Sequence, residues 1–256
     1  KHKTILTILD CGALLRTKGI RKKILTLLWF NLPVKKSRFV TVISEATKRH
    51  LLSVVHCDSS KIKVIYVPIS QDFQHVKQEF NRDKPLILQI GAAPNKNLTR
   101  LIRAVKDIDC KLLLIGQLTK ENLELLTLFN VEYENHVAIP FSDVIKHYHR
   151  CDMLYFASTY EGFGMPILEA QAVGRPVITS NVASMPEVGG DSVHYVNPLD
   201  VKEIRDGIKR LTIDDDYRNK LISKGLKNIK RFNQEVIANQ YKDLYDRIIE
   251  EANNQK

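Results

Sequence analysis

The sequence predicts an α/β fold built on a doubly wound parallel sheet. Two observations carry this: short runs dense in Val, Ile and Leu recur along the chain, and segments of helical period lie between them. Runs that are apolar throughout, rather than alternating, suit parallel strands buried on both faces. Repeated strand–helix–strand units of this length then imply right-handed crossovers.

In chain order, strands are expected over residues 4–9, 39–43, 62–67, 86–90, 111–115, 153–157, 177–179 and 193–196. Ser44, Thr119 and Ser142 are placed to cap helices over 45–55, 120–129 and 143–150, because a hydroxyl accepts from the free N–H groups of a first turn. Pro166 falls at the first position of a helix running to 173, where its missing N–H costs nothing. A polar stretch over 68–84, between two prolines, reads as a linker. It separates 1–67, the end of a domain whose beginning is missing, from a complete α/β domain over 85–232. The chain is helical from 217 to its end, and 233–256 forms a final helix that crosses back.

Composition narrows the class. Hydrophobic residues at 44%, charged residues at 27% and 9 prolines exclude collagen-like, disordered and disulfide-rich proteins. No apolar run reaches the roughly 18–20 residues of a membrane span. Lys1-His2-Lys3-Thr4 leads straight into a strand, without the apolar core of a signal peptide. Cys11, Cys57, Cys110 and Cys151 are scattered, as expected of reduced, mostly buried thiols in a cytoplasmic protein.

The net charge of +10 is uneven: from Cys11 to Ser44 there is no acid, yet Arg16, Lys18, Arg21, Lys22, Lys23, Lys35, Lys36 and Arg38 all fall there. A helix over 20–32 would gather Ile20, Ile24, Leu27, Leu28 and Trp29 on one face. Two readings stay open, a core-facing helix with a solvated basic side and a helix lying on an anionic membrane surface. Trp29 and Phe30 are expected to pack rather than to stack on sugar. No nucleic-acid reader motif is present, so no nucleic-acid partner is expected. No Gly-x-Gly-x-x-Gly follows the strand at 86–90, which argues against a nicotinamide dehydrogenase.

The chemistry concentrates in two stretches. Glu161-Gly162-Phe163-Gly164-Met165-Pro166-Ile167-Leu168-Glu169 follows the strand at 153–157, outside its carboxyl end, where open α/β sheets bind ligands. Its glycines permit a tight turn and close backbone approach, and the helix that Pro166 opens presents free N–H groups to a phosphate. Two carboxylates would repel that phosphate directly, so Glu161 and Glu169 suit sugar hydroxyls on either side of it. The second stretch, Gly91-Ala92-Ala93-Pro94-Asn95-Lys96-Asn97-Leu98, follows the strand at 86–90. Lys96 at a helix start is electrostatically out of place unless it holds an anion. With Asn97 as the N-cap, Lys96 is merely solvated, and the local sequence leaves both readings open.

Asn95-Lys96-Asn97-Leu98, the glutamate–glycine string continuing to Ala170, Gly174-Arg175-Pro176-Val177 and Pro186-Glu187-Val188 occur in that order. With Val42-Ile43-Ser44-Glu45 and Val64-Ile65-Tyr66-Val67-Pro68, they closely resemble glycosyltransferase family 4, the retaining group 1 enzymes of GT-B type, over about residues 1–250. The resemblance implies two Rossmann-like domains, the N-terminal one incomplete here, and a nucleotide-diphosphate sugar, UDP- or GDP-linked, as donor. It implies that Lys96 contacts the diphosphate, that Glu161 lies beside the transferred sugar, and that Glu169 bonds the ribose. Backbone N–H groups at Phe163, Gly164 and Met165 would cradle the distal phosphate, Gly162 and Gly91 shape the loops, and the base would sit near Gly116 and Ile139.

Glu161 and Lys96 are thus the expected catalytic pair. The implied activity is retaining sugar transfer to an acceptor hydroxyl in polysaccharide, lipopolysaccharide or glycolipid synthesis. A helix end and a lysine can hold the departing diphosphate, so no metal or other cofactor is expected. The implied place is the cytoplasm or the inner membrane face, with an unidentified sugar or lipid-linked acceptor.

Three departures from the pattern stand out. Asn95 replaces an Arg, Leu9 stands where a His is expected after Thr7-Ile8, and the N-terminal glycine-rich loop has no counterpart. The last two favour an alternative, a non-catalytic nucleotide-sugar binding module or fragment. His147 and His149 are too closely spaced on a helix to share a metal, and His194 is expected to be structural.

Overall fold

The computed structural model describes residues 4–253 and divides them between two compact units. Unit 1 takes Lys1–Pro68, Glu161–Phe163 and Arg231–Lys256, and unit 2 takes Ile69–Tyr160 and Gly164–Lys230. Of the unit bounds, residues 1–3 and 254–256 lie outside the described residues, and with them the run-in to the first strand.

In unit 1, β1 (Ile5–Ile8), β2 (Phe39–Val42) and β3 (Ile62–Val64) form a parallel sheet in that order. Alternation along β2 sorts its two faces. Val40 and Val42 join Ile8, Leu14, Phe30, Val34 and Leu51 in one core, which holds the helices α1 (Gly12–Arg16), α2 (Gly19–Leu25), α3 (Leu32–Lys36) and α4 (Glu45–Val54). Phe39 faces the other way, packed with Ile65 against Ile237, Leu244 and Ile248 of the last helix. As expected, Ser44 caps α4, its Oγ accepting from Thr47 N at 2.9 Å.

Unit 2 has six parallel strands: β4 (Leu86–Ile90), β5 (Lys111–Ile115), β6 (Glu132–His136), β7 (Met153–Phe156), β8 (Val177–Ser180) and β9 (His194–Val196). Their order, β6-β5-β4-β7-β8-β9, is the doubly wound arrangement, which reverses direction between β4 and β7. Between and after the strands run α5 (Leu98–Val105), α6 (Lys120–Leu128), α7 (Phe141–Arg150), α8 (Met165–Ala172), α9 (Met185–Gly189), α10 (Val201–Ile213) and α11 (Asp215–Asn228). The final helix, α12 (Gln234–Asn253), belongs to unit 1. One face of the six-stranded sheet, with Ile87, Leu112, Met153 and Tyr155, packs against α5, α6 and α10.

Several expectations need correction. The strand β6 has no counterpart in the hydrophobic pattern, because Glu132-Tyr133-Glu134-Asn135-His136 is polar and lies at the sheet edge, half or fully exposed. Ser142 does not cap α7; the helix starts two residues earlier than expected, at Phe141 after Pro140. Pro166 occupies the second helical position, since α8 begins at Met165. The basic segment is not one α-helix, because α2 passes through a π-helical turn, Thr26–Asn31, into α3. Its core-facing residues are Phe30 and Val34, whereas Trp29 is 71% exposed and packs on nothing in the core.

Residues 69–84 carry no regular element, yet they are tied to unit 2. Phe73 is buried, edge-on to Phe141 and Tyr148 at 5.6 and 5.4 Å. Buried Arg175 donates to Val76 O at 2.9 Å and to Gln78 Oε1 at 2.7 Å. Buried Asp152 accepts from Asn81 N at 2.9 Å and from Leu86 N at 2.8 Å, fixing the entry into β4. The cysteines are unbridged, and burial pushes the thiols of Cys11, Cys110 and Cys151 up to about 12. His194 packs on Gly207 and meets Tyr217 Oη at 2.9 Å, a structural role as expected.

Asp152→Ala strips two backbone donors of their acceptor and is expected to cost unit 2 about 2–4 kcal/mol. Urea unfolding followed by far-UV dichroism checks it. A loss under about 0.5 kcal/mol would mean that water replaces the carboxylate without penalty.

Candidate donor site

The site in unit 2 is built where the strand order reverses. Because β4 and β7 are neighbours, with Ile87 beside Met153 and Leu88 beside Leu154, the loops after them leave the same edge of the sheet side by side. Two glycines open that edge. Gly91, at φ +82°, follows β4, and Gly116, at φ +136°, follows β5. Gly91 N donates to Ile115 O at 2.7 Å, and a Cβ on Gly116 would sit 3.3 Å from Gly91 Cα and Ala92 N. A side chain at Gly116 would therefore press two loops apart.

Lys96 ends a single 3-10 turn, Pro94–Lys96, just before α5. Its aliphatic stem lies over Gly91, where a Cβ would come within 3.1 Å of it, and its Nζ sits 4.9 Å from the centre of the Phe156 ring. Asn97 stands at the N-cap position of α5, as one reading proposed, but its side chain makes no capping bond to the first turn. It adopts a left-handed φ of 63°, and its buried Nδ2 donates inward to Pro198 O at 2.6 Å and Ala157 O at 3.0 Å. Arg100 donates to Asn97 Oδ1 at 2.9 Å. Buried Gln89 donates to Gly91 O at 3.0 Å and Lys96 O at 3.2 Å, pinning both ends of the loop. Thr159 N donates to Asn95 O at 2.8 Å, which ties the β7 loop to the β4 loop.

Gly164 starts α8 at φ +123°, and a Cβ there would meet Ile167 Cδ1 at 3.2 Å. In α8, Glu169 is half-buried and accepts from Tyr148 Oη at 2.5 Å. Burial raises the Glu169 carboxyl above its ordinary range, opposed by the Tyr148 hydrogen bond and by the charge of Lys96. Tyr148 is fully buried and its phenol is raised well above 10, so it stays a donor. Neither Tyr148 nor Gln89 was singled out in the sequence; the aromatic–histidine run at 147–149 hides the first among helix-packing residues.

Ile139 lies half-buried after β6, beside Ala138 in a left-handed conformation. His147 stacks on His136 at 4.3 Å, and burial, then His136 and Arg150, lower its pKa. His149 turns instead to Gln74 O at 3.2 Å.

The remaining motif residues, Glu161, Gly162 and Phe163, are part of unit 1. Gly162 is pressed against the end of β1: a Cβ would lie 2.5 Å from Leu9 O. Its carbonyl accepts from Ser44 Oγ at 2.7 Å and Thr47 Oγ1 at 3.2 Å. Phe163 is buried beside Tyr66 and Phe232, ring centres 5.9 and 5.8 Å away. Leu9, at the position where the resemblance implies a His, leaves its side chain 60% exposed.

Comparison with known proteins decides the family. A family profile described as glycosyl transferases group 1 matches residues 70–228, more than half of the chain. The chain belongs to the group 1 glycosyl transferases. It is 38% identical over 107 residues to the O-antigen chain mannosyltransferase B of Escherichia coli, covering 42% of this chain and 28% of that protein. It is 28% identical over 237 residues to the capsular polysaccharide biosynthesis glycosyltransferase CapM of Staphylococcus aureus, covering 83% and 62% respectively. The chain thus spans less than two thirds of the length of these relatives. Among solved structures, Anabaena HepE in complex with UDP and glucose superimposes with a TM-score of 0.83 at 17% identity, over 94% of this chain and 71% of that one. That likeness shows the fold, which is of GT-B type.

The buried carboxyl of Glu169 has a consequence for stability. With its pKa raised in the folded state, the folded protein loses stability as pH climbs above the ordinary 4.5, where only the unfolded chain ionises freely. Glu169→Gln keeps an acceptor for Tyr148 and is expected to be more stable than wild type at pH 7, the gain vanishing below pH 4.5. Thermal melts across that range check it, and an equal or opposite difference at both ends would contradict it.

Proposed function

We propose that this protein transfers a sugar from a nucleotide-diphosphate sugar to an acceptor hydroxyl, in the synthesis of polysaccharide, lipopolysaccharide or glycolipid. The observation that carries the reading is the placement of Lys96 at the same switch point as the start of α8, where the N–H groups of Gly164 and Met165 precede Pro166. The names of the relatives, one in O-antigen and one in capsule synthesis, support the acceptor class. The complex of HepE with UDP and glucose supports the donor class.

In this reading Lys96 and the N–H groups of Gly164 and Met165 meet charge as it develops on the departing diphosphate. That supplies the stabilisation a metal gives elsewhere, and we assign a metal-independent mechanism. Transfer proceeds with retention: the C1–oxygen bond of the donor breaks, the acceptor oxygen attacks from the same face, and its proton passes to the leaving phosphate. Glu169, held by Tyr148 through one oxygen, offers the other to the ribose. Glu161 serves the transferred sugar, and the base lies by Gly116 and Ile139. We place the protein in the cytoplasm, at the inner face of a membrane that holds its acceptor.

The exposed Leu9 favours a second reading, a nucleotide-sugar binding protein without transferase activity. Donor binding measured beside donor hydrolysis separates the two, and binding without turnover in the longest natural form of the chain selects the second.

Lys96→Ala is expected to weaken UDP or GDP binding by about 1.5–3 kcal/mol, the worth of a charge-assisted hydrogen bond. Isothermal titration checks this, and an unchanged dissociation constant for both nucleotides removes Lys96 from the site. Glu169→Ala is expected to weaken the whole nucleotide, whereas Glu161→Ala acts on the intact sugar donor and on rate. Equal losses for free diphosphate in both variants would overturn these two roles.

A further inference from the structure

Two histidines of unit 2 have no part in sugar transfer as described above. His136 ends β6 and His147 lies in α7, and their rings stack with centres 4.3 Å apart. His147 is buried. Each histidine is joined to an element of the donor site. The end of β6 holds Gly116 by both of its backbone groups: Gly116 N donates to His136 O at 2.8 Å, and Asn135 Nδ2 donates to Gly116 O at 2.9 Å. Gly116 lies against Gly91, and the stem of Lys96 lies over Gly91. On the other side, the residue after His147 is Tyr148, whose Oη donates to Glu169 of α8. One helix thus meets β6 through one residue and α8 through the next, and a close-packed interior passes a shift at the first on to the second.

The groups around the stack favour a neutral His147. The charges that act on it are those of His136, Arg150, Glu134 and Asp143. Arg150 Nη1 lies 3.4 Å from His147 Nδ1, and since a guanidinium only donates, that nitrogen accepts. A proton on Nδ1 would remove the bond and set a cation against Arg150. Glu134 is already taken: it accepts from Arg150 at 3.2 Å and meets Lys111 at 2.7 Å, and the Lys111 bond above all lowers its carboxyl to about 2. Asp143 is paired with Lys146 at 2.7 Å. Burial, then His136 and Arg150, accordingly hold His147 below its ordinary 6.5.

We propose that His147 is a positioning residue of the donor site: stacked on His136, it fastens α7 to the end of β6 and so holds Gly116 and the Tyr148–Glu169 pair in fixed relation. This role rests on the donor reading above and adds to it a dependence on pH. The stability that the neutral imidazole contributes is complete above about pH 6.5. It is lost as the pH falls below that value, because the unfolded chain takes up the proton first. Nucleotide affinity is expected to weaken over the same window.

The test is isothermal titration of the full chain with UDP and with GDP at pH 7.5 and 5.5, on either side of the histidine range. Hydrogen–deuterium exchange of the free protein runs beside it. At pH 7.5, His147→Ala is expected to bind the nucleotide at least about fivefold more weakly, the low end of a coupling between two sites. The same change should speed exchange over 114–118 and 165–171 together. His147→Phe keeps a ring on His136 without a nitrogen that titrates. It should restore most of the affinity and the slow exchange, and should lose less affinity than wild type at pH 5.5. The terminal phosphate of the nucleotide and Glu169 titrate in both proteins alike, so the difference between them belongs to His147. If His147→Ala does not fold, that difference decides. Wild type and His147→Ala binding equally well, or an equal acid loss in wild type and His147→Phe, overturns the inference alone. Faster exchange over one of the two segments only makes the stack a local contact and overturns it too. Wild type that binds neither nucleotide overturns the donor reading, and this inference with it.

Discussion

The parallel pairing of β4 with β7 is the constraint on which the candidate donor site depends. The strands are all parallel, but from that pair the strand order proceeds outward to opposite edges, so the crossovers that follow β4 and β7 leave over opposite faces. The loops must part there, and glycines, Gly91 and Gly116, follow β4 and β5 at that edge. The candidate donor-site residues of unit 2 come from the elements that meet at that gap: Lys96 from the β4 loop, and Gly164 and Glu169 from the start and body of α8. Burial of the strands on both faces makes the pairing costly to shift, since Leu88, Leu154 and Phe156 are wholly enclosed.

Around that gap the protein spends buried hydrogen bonds on holding loops rather than on stabilising the core. Asn97 in a left-handed turn, Gln89 beneath the loop and Thr159 across from Asn95 each satisfy carbonyl or amide groups that a free loop would give to water. The result is a lysine presented by a fixed backbone, with its stem against Gly91 and its charge over an aromatic face. Glu169 is held in the same way by Tyr148, at the cost of a carboxylate that burial disfavours in its ionised form. Groups so positioned need little reorganisation when a charged ligand arrives.

Much of this was legible in the residues. Apolar runs located eight of the nine strands among the described residues, because a strand covered on both faces has few other compositions open to it. The ninth, β6, is an edge strand whose polar residues meet solvent, so its pairing with β5 is visible only in space. Ser44 and Thr119 were readable as caps since each has a free first turn after it; Ser142 was not one, because Pro140 had already set the helix. The glutamate–glycine string pointed to its loop, yet not to Tyr148, which reaches Glu169 from a different helix. Net charge located the basic segment, and only the fold could say that Phe30 turns inward while Trp29 does not.

The central claim is that a diphosphate occupies the switch point of unit 2. Hydrogen–deuterium exchange with and without UDP tests it most directly, because it reports the backbone amides themselves. Slower exchange is expected together in peptides covering 91–97 and 163–168, with little change over 35–38 and 58–63. Protection confined to either loop alone, or to neither, would contradict a shared phosphate site.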